Sequence, residues 1–355
     1  MTMRSNPPRR LPAEWEPSEA VMIAWPHMDT DWADMLPEVT DTYVNIARAI
    51  LSSGVRLVIV APDISLPKSY LDAYDDPKQP IIYCEIPTND TWARDFGPIT
   101  VQPAEEGADM LPLDFTFNGW GMKFAADKDN LITSAAAARH LFCTSPESHR
   151  EFVLEGGSIE SDGQGTIMTT SECLLSPNRN PWMSRERITD YLKQSLGADR
   201  VLWVDHGYLA GDDTDSHIDT LARLAPHDTI VYVAPPEDQD DEHYASLAAM
   251  EEQLKTFRTA SGQPYNLIGL PMADARHDDA GDRLPATYAN YLVVNDHILM
   301  PSYGSPRKDR LAAQMMQVAY PEHEVVQIDC NALIKQHGSL HCVTMQLPVG
   351  TLAVI

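Results

Sequence analysis

Five residues that could carry out chemistry lie in polar segments next to strand-like runs of the sequence. In chain order they are Asp95, Glu155, His217, Asp219 and Cys342. A thiolate can attack an electrophilic carbon, an imidazole can transfer protons, and carboxylates can pair with a planar guanidinium in a bidentate fork. The set therefore favours covalent hydrolysis of a guanidino group, in which a histidine protonates the departing ammonia and then deprotonates water.

Each of these residues also has a purely structural interpretation. Asp95 could be a turn residue or an ion-pair partner, and Glu155 could cap a turn. His217 could be a hydrogen-bonded core histidine, and Cys342 a buried thiol that packs as a small hydrophobe. The functional interpretation therefore depends on the set as a whole.

The expected base for Cys342 is His217 rather than the adjacent His341. The segment HCVTMQLP is predicted as a strand, in which neighbouring side chains point to opposite faces. His341 would then point away from the thiol. By the same reasoning, a strand at HID would project His217 and Asp219 to one face.

The spacing of the candidate residues indicates repeated modules. The intervals from Asp95 to Glu155, from Glu155 to His217 and from His217 to Cys342 are 60, 62 and 125 residues. The last interval is about twice the others, as expected if one module in the series is skipped. Dividing 355 residues among five modules gives 71 residues for each.

Strand-like runs rich in Val, Ile, Thr and Tyr alternate with helical patterns along the whole chain. No Pro- or Ser-rich linker divides it, and PPEDQDDEHY is interpreted as a solvated loop leading into a helix. The sequence therefore predicts a single α/β domain over residues 1–355. Its modules would meet at a central axis where strand ends converge. Helices are expected at TDTYVNIARAILSSG, SRERITDYLKQSLGA, DDEHYASLAAMEEQLKTFRTASG and RKDRLAAQMMQVAYP.

The composition disfavours several classes of function. With 26 Lys and Arg against 52 Asp and Glu, the net charge of −26 repels nucleic acids and anionic membranes and attracts small cations. The apolar run AVMIAW is too short for a signal peptide or a membrane span, so a cytoplasmic protein is expected. Five scattered cysteines without C-x-x-C indicate neither a disulfide framework nor a thiolate zinc site.

Four segments together resemble the agmatine deiminase and bacterial (Porphyromonas-type) peptidyl-arginine deiminase family of the guanidine-modifying superfamily. They are NDTWARDFGP, LEGGSIESDGQGTIMTTSECLLSPNRNP, DDTDSHIDTLAR and LHCVTMQ. The resemblance extends from MIAWPH to HCVTMQLP and implies a five-bladed α/β propeller, the pentein fold, built from ββαβ-type modules. It also implies a hydrolase of C–N bonds in linear amidines, active in polyamine metabolism without a metal or organic cofactor.

Residue by residue, the resemblance implies that Cys342 is the nucleophile and His217 the general acid and base. Asp95 and Asp219 match the carboxylates that hold the guanidinium. Glu155 matches the carboxylate beside the histidine and a substrate nitrogen.

Agmatine is the expected substrate, with N-carbamoylputrescine and ammonia as products. Its distal amine favours oxygen ligands, and the acidic run of Asp212, Asp213 and Asp215 could supply them. Trp92 and Trp120 could flank the aliphatic tether. The alternative is an exposed acidic turn and two core tryptophans.

Other substrates and other classes of protein remain open. Free arginine would need a cation for its α-carboxylate, for which Arg94, Arg179 and Arg223 are available. A peptidyl substrate would need a site entrance wide enough to admit a protein chain. Family members that act on proteins outside the cell carry export signals, and none is seen here. A non-enzymatic scaffold could bind a cationic partner, and a homodimer is compatible with the sequence. A metallohydrolase without an H-E-x-x-H helix could use a His/Asp cluster of His206, Asp213, Asp215, His217 and Asp219.

Overall fold

A computed structural model describes residues 8–105 and 107–353 of the chain. In this part of the chain the strands are β1 (Arg9–Arg10), β2 (Ser18–Ala24), β3 (Arg56–Ala61), β4 (Ile82–Glu85), β5 (Ile99–Pro103), β6 (Leu111–Thr116), β7 (Glu147–Val153), β8 (Ile159–Ser161), β9 (Thr166–Thr170), β10 (Arg200–Val204), β11 (Ala222–Ala225), β12 (Thr229–Val233), β13 (Asn266–Leu270), β14 (Arg276–His277), β15 (Arg283–Leu284), β16 (Leu292–Val294), β17 (His297–Ser302), β18 (Glu324–Asp329) and β19 (Met345–Pro348). The helices are α1 (Leu36–Ser52), α2 (Ser65–Leu71), α3 (Ala93–Phe96), α4 (Gly119–Met122), α5 (Ile132–Ala138), α6 (Ser171–Leu174), α7 (Arg185–Leu196), α8 (Tyr244–Thr256) and α9 (Pro306–Ala319).

The predicted α/β class is confirmed, and the same order of antiparallel and parallel strands recurs in five sheets. The described strands form five sheets of three or four strands, β19-β2-β3-β4, β1-β5-β6-β7, β8-β9-β10, β11-β12-β13 and β16-β17-β18, together with the ribbon β14-β15. In each of the five, an antiparallel pair is followed by a parallel strand. A helix connects the parallel strands, since such strands need a crossover.

The longer helices follow from local sequence signals. Helix α7 begins after Ser184, whose side chain accepts a hydrogen bond from the Arg187 amide, and ends at Gly197 in a left-handed conformation with φ of 70°. Helix α1 has a proline in its first turn and buries Tyr43 and Ile46 against the core. Among the described residues, no helix is both long enough and apolar enough to span a bilayer.

The run HCVTMQLP forms a strand only at Met345–Pro348, so the predicted strand conformation is wrong for Cys342 and, in HID, for His217. Cys342 lies in a turn at residues 340–343, because the amide N–H groups of His341 and Cys342 donate to the Asn290 side chain rather than to a neighbouring strand. His217 caps a 3-10 helix over Ile218–Thr220, which closes when the Thr220 amide donates to the His217 carbonyl at 3.2 Å.

Candidate active site

The predicted catalytic residues lie in chain segments that pass from one sheet to the next. Asp95 lies between β4 and β5, Glu155 between β7 and β8, His217 between β10 and β11, and Cys342 between β18 and β19. The transition between the fourth and fifth sheets supplies Asn290, whose side-chain oxygen lies 3.3 Å from Cys342 Sγ. The long interval before Cys342 therefore contains a contributing residue that sequence reasoning missed.

A cleft with a volume of about 310 Å³ has Cys342 in its wall, together with Asp95, Trp92, Trp120 and Asp213. The predicted substrate contacts other than Asp219 thus line one space. We call this space the Cys342 cleft. Its other lining residues are Asp31, Asp90, Phe124, Thr214, Gln336, His337 and Gly338. A larger groove of about 690 Å³ is formed by residues of α1 and β18 and contains none of the predicted catalytic side chains.

Asp95 is buried at the second-to-last position of the four-residue helix α3. Its Oδ1 accepts a hydrogen bond from the Gly157 amide and its Oδ2 one from Trp120 Nε1, both at 2.9 Å. Trp120 makes this bond from a left-handed backbone conformation with φ of 53°, which costs a non-glycine residue about 1–3 kcal/mol. Burial raises the pKa of Asp95 to about 6, although His217 opposes the rise.

Gly157 allows three functional side chains to converge. A methyl group added to its α-carbon would lie 2.8 Å from Asp95 Oδ1, 2.8 Å from His217 Nδ1 and 3.0 Å from Asp219 Oδ2. These distances leave no room for a side chain. The second glycine of LEGG is thus explained by the close approach of acidic and imidazole groups to the backbone, whereas a methyl group on Gly156 would collide with the Arg94 carbonyl oxygen.

His217 is fully buried between two carboxylates. Its Nδ1 lies 3.7 Å from Asp95 Oδ1, its Nε2 lies 3.7 Å from Glu155 Oε2, and neither nitrogen has a hydrogen-bond partner. Burial alone would lower the pKa of His217, but Asp95, Cys173 and Glu155 outweigh it and raise the pKa well above its usual value. The two carboxylates therefore favour the imidazolium form of His217, which can donate a proton.

Glu155 is kept ionised by a buried arginine. Arg179 Nε lies 3.0 and 2.9 Å from the two carboxylate oxygens, and its Nη1 pairs with Asp215 at 2.6 Å. Burial would raise the pKa of Glu155, but Arg179 and His217 lower it below its usual value. Arg179, one of the arginines considered as a partner for a substrate carboxylate, is thus already paired with two carboxylates of the protein itself.

The Cys342 thiol lies beside a carboxylate that has one free oxygen. Sγ is 3.9 Å from Asp219 Oδ2, an oxygen that also contacts His341 Nδ1 at 2.8 Å. Asp219 Oδ1 is buried and has no partner. Burial, together with the nearby Asp219 and Asp95, raises the pKa of Cys342 well above its usual value. These surroundings favour the thiol form of Cys342 in the substrate-free protein. Burial would also raise the pKa of Asp219, but His341 lowers it.

The acidic run before His217 does not act as a unit. Asp213 lines the Cys342 cleft. Asp212 instead accepts hydrogen bonds from main-chain and hydroxyl groups of its own loop. Asp215 pairs with Arg179 at 2.6 Å and with Lys123 at 2.7 Å. The expectation that all three would form an acidic field for the substrate is therefore wrong for two of them.

Two other aspartates of the Cys342 cleft were missed by sequence reasoning. Asp31 and Asp90 lie more than a hundred residues before Asp213, and no local pattern relates them. Burial and Asp31 raise the pKa of Asp90 to about 7, and burial and Asp212 raise that of Asp213 to about 6. Crowded carboxylates of this kind gain stability when a cation binds between them.

The remaining arginines considered for a substrate carboxylate are also engaged elsewhere. Arg94 pairs with Glu14 at 3.2 Å, and Arg223 pairs with both Glu14 and Glu160. Among the residues that the structure describes, no Lys or Arg side chain lines the Cys342 cleft. The cleft is therefore matched to a cationic ligand rather than a carboxylate.

The His/Asp cluster that would suit a metallohydrolase is not assembled. His206 and Asp215 line a separate surface depression that does not contain His217. A different trio, Glu155, Cys173 and His217, has potential ligand atoms within 4.8 Å of one another. The guanidinium of Arg179 already contacts both Glu155 oxygens, which disfavours their use as metal ligands.

Comparisons with known proteins relate the whole chain to deiminases. The family model for Porphyromonas-type peptidyl-arginine deiminase matches residues 10–348. A protein named agmatine deiminase from Stutzerimonas stutzeri is 31% identical over 373 residues, covering 98% of this chain and 99% of that protein. A solved cysteine-to-serine variant of C. jejuni agmatine deiminase with substrate bound is 34% identical, with a TM-score of 0.85 and 96% of both chains covered. A Porphyromonas gingivalis structure, provisionally named an arginine deiminase, is 52% identical, with a TM-score of 0.90 and coverage of 97% of this chain and 100% of that chain.

Proposed function

The chain belongs to the Porphyromonas-type peptidyl-arginine deiminase family, and we propose that it hydrolyses agmatine to N-carbamoylputrescine and ammonia. The observation that carries this proposal is the Cys342 cleft, in which a thiol and four aspartates are not accompanied by a lining Lys or Arg among the described residues. Agmatine carries a guanidinium and a primary ammonium group. A cleft of this charge suits such a dication.

We extend the proposal to the architecture. The five sheets, which share one order of antiparallel and parallel strands, support a single-domain five-bladed α/β propeller. The segments between successive sheets would then meet at the central axis. Convergence of Asp95, His217 and Asp219 around Gly157 supports that arrangement. The five free cysteines suit a reducing compartment, and we place the reaction in the cytoplasm.

In the proposed mechanism, Asp95 and Asp219 hold the guanidinium next to Cys342. The bound cation lowers the pKa of the thiol, whose proton passes to solvent. The thiolate forms a C–S bond to the guanidino carbon. The His217 imidazolium protonates one amino group, the C–N bond breaks and ammonia leaves, so that a thiouronium remains on Cys342.

The second half of the reaction uses the now neutral His217 as a base. It takes a proton from water as the hydroxide adds to the thiouronium carbon. The C–S bond then breaks, which returns the Cys342 thiolate and the His217 imidazolium. The ureido product gives its extra proton to ammonia, so charge and protons balance. Glu155, kept ionised by Arg179, would stabilise the imidazolium.

The aliphatic tether would lie near Trp92 and Trp120, with the distal ammonium near Asp213, Asp31 and Asp90. Free arginine would place an α-carboxylate in this acidic region without a cation partner, which is costly. We expect kcat/KM for agmatine to exceed that for arginine by about a hundredfold or more. Assays of ureido product with agmatine, arginine and an arginyl peptide at matched pH and salt would measure this.

Free or peptidyl arginine is a second candidate substrate, because the P. gingivalis relative at 52% identity is provisionally named an arginine deiminase and the matching family is described as peptidyl-arginine deiminase. Equal kcat/KM values, or a preference for arginine or the peptide, would refute the agmatine assignment. Such a result would leave the proposed chemistry of Cys342 intact, because that chemistry depends on different residues.

The pKa of Asp95 predicts how substrate binding depends on pH. Because burial raises this pKa to about 6, the carboxylate is mostly ionised at pH 7 and mostly protonated at pH 5. The affinity of a Cys342→Ala protein for agmatine should therefore fall at least about tenfold from pH 7 to pH 5, since Asp90 and Asp213, with pKa values of about 7 and about 6, lose charge over the same range. Calorimetric titrations from pH 5 to pH 8 would test this, and a constant dissociation constant would contradict it. The alanine background excludes any contribution from thiol ionisation.

A further inference from the structure

Behind the proposed catalytic residues lies an ionic cluster that the mechanism above does not use. Its members are Glu14, Arg94, Glu160, Arg223 and His341, which we call the back cluster. Glu14 is its most connected acid. Glu14 Oε1 lies 2.6 Å from His341 Nε2 and 3.2 Å from Arg94 Nη1, and its Oε2 accepts a hydrogen bond from Arg223 at 2.7 Å.

Glu14 thereby contacts residues adjacent in the chain to two proposed catalytic groups. Arg94 immediately precedes Asp95, and His341 immediately precedes Cys342. In both pairs the first side chain contacts Glu14, and the second lines the Cys342 cleft. A glutamate near the start of the chain thus connects two catalytic segments that are far apart in sequence.

His341 links Glu14 directly to Asp219. Its Nδ1 lies 2.8 Å from Asp219 Oδ2, and its Nε2 lies 2.6 Å from Glu14 Oε1. An ionised carboxylate only accepts hydrogen bonds, so a proton on either imidazole nitrogen is donated to the carboxylate that faces it. Burial, Arg223 and Arg94 lower the pKa of His341. Glu14 and Asp219 oppose that shift, and Arg223 Nη2 also lies 3.1 Å from His341 Nε2.

This link engages one oxygen of Asp219 and leaves the other free. Oδ2 is held by His341, whereas Oδ1 is fully buried and has no hydrogen-bond partner. A buried acceptor without a partner is unfavourable, and a ligand N–H can supply the missing hydrogen bond. The contact between His341 and Oδ2 therefore fixes the orientation of the Asp219 carboxylate, and with it the direction of Oδ1.

We propose that Glu14 and His341 are positioning residues that hold Asp219 from the back cluster so that its free Oδ1 receives a guanidinium N–H. The inference rests on the proposed function, because it assigns the guanidinium as the partner of that oxygen. Neither residue touches the substrate. Their effect on binding should pass through Asp219.

A double-mutant cycle tests this path, with agmatine affinity measured by calorimetry in the Cys342→Ala background. Glu14→Gln keeps the side-chain volume and removes the charge. We expect it to weaken agmatine binding about tenfold when Asp219 is present and less than twofold when Asp219→Asn is also present. His341→Gln should show the same dependence, and it serves as the second variant if Glu14→Gln folds poorly.

Glu16→Gln is the matched control. Glu16 lies two positions after Glu14 in the chain and pairs with Arg10 at 2.5 Å. Its substitution should leave agmatine affinity unchanged. An equal loss from Glu14→Gln with and without Asp219, or no loss at all, would overturn the positioning role. No binding of agmatine to the Cys342→Ala protein would refute the proposed function itself, and the inference with it.

Discussion

Replacing Cys342 by serine is expected to lower kcat for agmatine by about three orders of magnitude or more while leaving the fold intact. A hydroxyl is a far weaker nucleophile than a thiolate, and the raised pKa of His217 favours its imidazolium form, which cannot act as a base to activate the hydroxyl. The substitution is small and conserves volume in a buried turn, so the melting temperature should change little. Steady-state assays of ammonia and ureido product, with a thermal melt of the same sample, would measure both.

Cys143→Ser is the control for this experiment. Cys143 is an exposed thiol whose Sγ contacts the Leu352 carbonyl and lies outside the Cys342 cleft. Its substitution should leave turnover unchanged. A Cys342→Ser protein with near-native activity would rule out the covalent mechanism, whatever the substrate proves to be.

The second large loss of activity is expected when either of the two carboxylates proposed to hold the guanidinium is removed. Asp95→Asn and Asp219→Asn should each lower kcat/KM for agmatine by about 10²–10⁴-fold, since removing one partner of a desolvated charge pair costs about 3–5 kcal/mol. Steady-state kinetics would give the loss in kcat/KM. Calorimetry in the Cys342→Ala background would separate lost binding from lost catalysis.

Asp296→Asn provides the comparison. Its carboxylate is mostly exposed and contacts His297 at 2.7 Å on the surface, so kinetics should remain those of the unmodified protein. If Asp95→Asn or Asp219→Asn matched the wild type in both rate and affinity, that residue would be structural and its assignment as a guanidinium ligand would be wrong.

Much of the α/β class and the candidate site could be predicted from local signals. Helix α7 carries a serine cap and a terminal glycine that can be read within one segment. The regular intervals between Asp95, Glu155 and His217 reflect the transition from one sheet to the next, a feature that recurs along the chain. These inferences succeeded because each depends on residues close in sequence or on a repeat.

Predictions that assumed a regular strand failed where side chains satisfy the backbone. Asn290 accepts the amide N–H groups of His341 and Cys342 and converts a predicted strand into a turn. His217 and Asp219 do converge at Gly157, but through a 3-10 helix rather than strand alternation. No pattern in the sequence identifies an asparagine fifty residues away as the acceptor.

The sequence by itself determined the chemical inventory of this protein: a thiol, an imidazole, carboxylates and a strongly acidic charge. Only the tertiary structure decided how these groups are paired and charged. It placed Asp213 in the Cys342 cleft while Asp215 pairs with Arg179, and it connected Glu14 to Asp219 through His341. The physical reason is that a pKa or an ion pair depends on burial and on groups within a few ångströms, which the folded chain brings together from distant positions.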